Sequence, residues 1–87
     1  MEIKQLPTTF IGRGEVRNFV FNQLYEGDKA FLYEIVDGKK VHYEVFRKKV
    51  NNQYACVSYP NSKSFGLWAW TFTNLEKAKL KFDILND

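Results

Sequence analysis

Eighty-seven residues are one domain's worth of chain, since domains usually run to roughly 100–150 residues. Hydrophobic residues make up 45%, charged residues 26%, and there are only two prolines, which excludes disorder as a description of the whole chain. The net charge of +3 is modest, and a lone Cys56 excludes a disulfide-stapled scaffold.

Taken in chain order, the first segment has no uninterrupted apolar leader, and no stretch approaches the ~18 apolar residues of a membrane span. A soluble, cytoplasmic chain without membrane contact is expected. Residues 1–13 carry Pro7 and Gly12 just ahead of Gly14, which predicts an extended arm or a short edge piece. Four strands follow, over 16–25, 29–36, 41–49 and 53–59, each rich in Val, Ile, Phe and Tyr and bracketed by turn residues. The breaks at Glu26-Gly27-Asp28, Asp37-Gly38-Lys39-Lys40 and Asn51-Asn52 are short, so neighbouring strands pair as antiparallel hairpins.

Two registers are open at the second break. A two-residue loop puts Ala30, Leu32, Glu34 and Val36 on one face with Val41, Tyr43 and Val45. A three-residue loop sets Phe31, Tyr33 and Ile35 there instead, and is preferred because it keeps Glu34 out of the core. The outer face then carries Leu32, Glu34, Val36, His42, Glu44, Phe46 and Lys48.

Beyond the Pro60–Ser64 loop, residues 65–72 form a fifth strand or an irregular crossing. Thr73-Asn-Leu-Glu76 is a capping box that predicts a helix over 74–86. Leu75, Ala78, Phe82 and Leu85 fall on one stripe facing the sheet, while Leu80 and Ile84 lie roughly 140–180° away, facing outward. The fold class is therefore α+β: an antiparallel β-meander of four to five strands with one C-terminal helix packed on one face, residues 1–87 forming a single domain. The outward pair Leu80 and Ile84 is a candidate interface, most simply for a homodimer.

Charge is unevenly placed. Residues 1–38 sum to −2 and residues 50–87 to +1, while the short segment 39–49 holds +4. Its Lys39, Lys40, Arg47, Lys48 and Lys49 stand near Phe46, and Lys63 precedes Trp68 and Trp70, which share a side if that segment is extended. Basic residues interleaved with aromatics are the equipment of single-strand nucleic-acid binding, where cations track phosphates and rings stack on bases. Ser62-Lys63-Ser64 adds a lesser phosphate-binding candidate. No chemistry competes strongly. His42 and Glu44 share a strand face, but no nucleophile joins them, and Cys56 sits in an apolar run that leaves its thiol inert. One His and one Cys do not make a metal site, and Gly12-Arg13-Gly14 is too short for a dinucleotide fingerprint. No enzyme activity, metal or cofactor is expected.

Four antiparallel strands followed by one helix, over residues 15–86, resembles the unit of the Pur-alpha and Whirly single-stranded nucleic-acid-binding families. The resemblance implies a sheet that presents aromatic and basic residues to nucleic acid and assembles through paired units. The expected function is a small, non-enzymatic, sequence-tolerant binder of single-stranded nucleic acid, with Lys39, Lys40, Arg47, Lys48, Lys49 and Lys63 on phosphates and Phe46, Trp68 and Trp70 stacking. The alternative is a protein-interaction module, accessory or inhibitory, that docks onto a larger protein.

Overall fold

The strand signals become a five-stranded antiparallel sheet and a two-stranded ribbon in the computed structural model, which describes residues 3–12, 17–61 and 63–87. The strands are β1 (Thr9–Ile11), β2 (Val20–Glu26), β3 (Ala30–Asp37), β4 (Lys40–Arg47), β5 (Val50–Asn51), β6 (Cys56–Val57) and β7 (Ala69–Phe72), followed by the helix α1 (Leu75–Asn86). The sheet runs β1-β2-β3-β4-β7, and β5 pairs with β6 apart from it. The α+β class and the meander stand as the sequence predicts. Position 16, the predicted start of the first of the four strands, lies outside the described residues, and β2 begins at Val20.

The arm is partly a strand. β1 pairs with β2, while Lys4 bridges to Cys56, its N–H donating to the Ala55 carbonyl and its own carbonyl accepting from Val57, both at 2.8 Å. The predicted fourth strand over 53–59 is corrected. Only Cys56–Val57 is extended, because the Asn51 side chain accepts from the N–H groups of Gln53 and Tyr54 and folds the intervening residues into a turn. The place beside β4 goes to β7.

The preferred register is also overturned. Asp37 pairs with Lys40 and Leu32 with Val45, across a two-residue Gly38-Lys39 loop. Gly38 has φ +60°, the backbone that the first position of a tight hairpin turn demands. The preference for the other register assumed one wet face. Here both faces are covered, so β3 is buried nearly throughout.

Alternate residues of β3 feed two cores. Ala30 and Leu32 join Val45, Ala78, Phe82 and Leu85 beneath α1. Phe31, Tyr33 and Ile35 join Phe21, Phe46, Val57 and Ala69 on the other side, roofed by Leu6, Phe10, Tyr59 and Trp68. A register shift between Gln23 and Tyr25 sends Tyr25 to the helix side, its ring 5.7 Å from Phe82. Tyr33 is fully buried, and its hydroxyl donates to the Pro7 carbonyl at 2.6 Å while accepting from Gln23 at 3.0 Å. That phenol, pushed up by burial, ties the arm across the aromatic core.

The helix begins one residue later than predicted. Asn74, not Thr73, is its cap, accepting from the Lys77 N–H at 3.1 Å. Glu76 therefore misses the third helical position, and no capping box forms. Ala78, Phe82 and Leu85 are buried as the stripe predicts, whereas Leu75 is exposed.

Candidate functional site

The positive residues of β4 separate to its two ends. Lys39 and Lys40 lie on or beside the β3–β4 turn, and Arg47 closes the strand, so the first pair sits roughly 23 Å away at the usual strand rise. Lys48 is engaged by Glu26 at 2.8 Å and lies 4.9 Å from the Phe31 ring centroid. The +4 segment is therefore not one patch.

The aromatic trio separates as well. Phe46 is fully buried, with its ring against Phe31, Tyr33, Tyr59 and Trp68 at 5.0–6.4 Å, so no base can reach it. Its cover comes from residues remote in sequence. Trp70 pairs with Val45 on the helix side, where Lys81 stands 4.0 Å over its ring. Trp68 precedes β7 and packs on the opposite face. The expectation that the two indoles share a side fails because Ser64–Trp68 is a turn, with the N–H groups of Leu67 and Trp68 both donating to the Ser64 carbonyl.

That turn builds a groove of about 600 Å³ between the β5–β6 ribbon and the 61–68 segment. Lys49, Lys63 and Trp68 line it, with Asn51, Ser58, Tyr59 and Asn61 completing its wall. Asn61 and Ser64 lock the loop: the Asn61 carboxamide oxygen accepts from Lys63 N–H at 2.9 Å and from the Ser64 hydroxyl at 3.1 Å, and that hydroxyl accepts from Asn61 N–H. These backbone donors are engaged internally and are not free to cradle an anion. Ser62, part of the suspected phosphate loop, lies outside the described residues, and Ser64 is buried. What remains for an anion here is ammonium. Lys63 is exposed, and the Lys49 ammonium lies 5.0 Å over the Trp68 ring.

Behind the groove, Tyr59 donates its hydroxyl to Glu44, whose other oxygen stands 3.6 Å from His42 Nε2. Burial raises the Glu44 carboxyl above the usual carboxylate range, against the opposing pull of the Tyr59 hydrogen bond and His42. Burial and the neighbouring Glu44 charge push the Tyr59 phenol far up, so it remains a donor. The side-by-side His42 and Glu44 follow the strand spacing, but the groove's lining does not include His42. Among the described residues no three His, Cys, Asp or Glu side chains gather into a metal-binding group, and no helix is long and apolar enough to cross a membrane.

Asn51, Ser58, Tyr59 and Asn61 were not foreseen as site residues, since the sequence marks the two asparagines only as turn formers. Leu80 and Ile84 are 63% and 67% exposed on the outer side of α1, away from the groove. Comparison with protein-family models, with curated proteins and with solved structures returned no match. The open aromatic sheet face implied by the Pur-alpha and Whirly resemblance is here covered by Phe10, Tyr59 and Trp68.

Proposed function

We propose that this chain is a small, non-enzymatic protein that binds single-stranded nucleic acid without strong sequence preference, through the groove between the β5–β6 ribbon and the Ser64–Trp68 turn. One observation carries the proposal: Lys49, just after β4, and Lys63 and Trp68, from the segment before β7, line a single open groove. A cation for a phosphate and an aromatic face for a base are the minimum that such binding needs. Hydrogen-bonding groups in the wall, from Asn51, Ser58 and Asn61, suit a polar ligand edge. A cytoplasmic setting fits the lone Cys56 thiol, which stays reduced there.

Titration of a fluorescently labelled single-stranded oligonucleotide at two salt concentrations tests this. Binding that weakens as salt rises is expected; no binding at low salt, where phosphate contacts are strongest, refutes it.

Exposure of Leu80 and Ile84 favours a second function, a protein-interaction module that dimerises or docks through α1. Light scattering on the native chain and on Leu80→Glu separates the two. A dimer that the substitution dissociates supports it, and a native monomer removes its motive.

A further inference from the structure

The lining of the groove sets how many contacts it can offer. Its volume of about 600 Å³ falls in the range of small-molecule sites, ~300–1,000 Å³. Proteins that track a running single strand spread several rings and cations over ~4–16 nucleotides per fold. The other candidates for a continuation lie elsewhere: Phe46 is buried, Trp70 faces α1, and Lys39 and Lys40 lie at the far end of β4. Among the described residues that line the groove there are one indole and two ammonium groups.

Lys49 occupies the face of that indole in the free protein. A base stacking on the same face must displace the ammonium, and an accompanying phosphate offers it a better partner, because a charge-assisted hydrogen bond outweighs an exposed cation–π contact. Lys63 lines the same groove and can share the phosphate.

We infer that the groove takes one phosphorylated nucleotide unit, its base on the Trp68 indole and its phosphate between Lys49 and Lys63, with Lys49 leaving the ring as the base arrives. The inference rests on the nucleic-acid function proposed above and sets its footprint. The same chemistry is offered by a free nucleoside monophosphate and by a nucleotide within a strand, and the test distinguishes them.

The experiment uses the full chain carrying Trp70→Phe, which leaves Trp68 as its single indole. It is titrated with thymidine, thymidine monophosphate and 5′-phosphorylated oligothymidylates of two, four and eight nucleotides. Anisotropy of a labelled octamer on the unsubstituted chain gives a parallel readout that does not depend on the substitution. Quenching of Trp68 is expected with every phosphorylated ligand, and thymidine binds at least tenfold more weakly. Affinity per binding frame is already at its plateau with the monophosphate.

For the octamer, the one phosphate held by the two lysines gives a slope of log K on log salt of about −0.7, or an affinity loss of about 2.6-fold between 50 and 200 mM. Lys63→Ala weakens the octamer and the monophosphate alike and leaves thymidine unchanged. Per-frame affinity that climbs tenfold or more from two to eight nucleotides overturns the single-unit footprint and leaves the nucleic-acid function standing. Binding of the monophosphate without binding of the oligomers upholds the site and refutes the strand-binding function. Absence of binding by any phosphorylated ligand at low salt refutes both.

Discussion

Replacing Asn86 with alanine removes the clasp between the end of α1 and the β2–β3 turn. Its carboxamide oxygen accepts from Lys29 N–H at 2.7 Å and Ala30 N–H at 2.9 Å, and its nitrogen donates to the Phe82 carbonyl at 2.8 Å. The approach is so close that a side chain at Gly27 would overlap the carboxamide. The three bonds do not weigh equally. Lys29 is exposed, so its N–H recovers water, whereas Ala30 is fully buried and an orphaned amide there costs about 1–3 kcal/mol. With a smaller loss at the last helical turn, Asn86→Ala is expected to destabilise by about 2–3 kcal/mol. A chain of 87 residues has a total stability of about 4–13 kcal/mol, and Tm falls roughly 4–8 °C for each kcal/mol lost in a domain of this size. Thermal unfolding followed by circular dichroism should therefore show a drop of about 8–24 °C. Asn86→Asp, which keeps the acceptor, should lose much less. A change below about 0.5 kcal/mol for Asn86→Ala would refute the claim that this side chain pins the helix to the sheet.

Phe46→Ala, at a fully buried ring, should lose about 3–5 kcal/mol in urea unfolding, while Leu80→Glu at a 63% exposed position should stay within about 0.5 kcal/mol; equal effects would contradict the burial that removes Phe46 from the site. Glu44 supplies a pH dependence whose sign is fixed by burial. Its carboxyl is raised in the folded state, so the folded chain holds that proton more tightly than the unfolded one, and this group's contribution to stability falls as pH rises from the unfolded value of about 4.3 through the folded one. Glu44→Gln keeps an acceptor for Tyr59 and removes that decline, so its stability relative to the native chain should improve between pH 4 and pH 8 in urea titrations; a constant or worsening difference would contradict the assignment.

The hairpins and the helix were legible because their signals are local: Asp37-Gly38 marks a turn, and Ala78, Phe82 and Leu85 repeat at helical spacing. The register was not, because choosing between Phe31 and Leu32 as the inward set presumes a solvent-facing side. The cover that removes that side comes from Phe10 and Tyr59, neither adjacent in sequence to β3 or β4. The same separation hid the burial of Phe46. Thr73 and Asn74 are both good caps one position apart, so the sequence favoured one and the fold used the other. Of the candidate site, Lys49, Lys63 and Trp68 were readable as types and came together in space. Their companions Asn51 and Asn61 were hidden behind their roles as turn formers, and the pairing of Trp68 with Trp70 required an extended 65–72 segment, which the Ser64–Trp68 turn interrupts.

The groove itself is tested most directly by proton–nitrogen correlation spectra of the labelled protein titrated with phosphorylated dithymidylate. Amide shifts are expected at Lys49, Asn51, Ser58, Asn61 and Lys63 together with the Trp68 indole N–H, while the Trp70 indole and the Gly38-Lys39 turn stay in place. Shifts centred instead on Lys39 and Lys40, or on the Leu80 and Ile84 side of α1, would contradict the account.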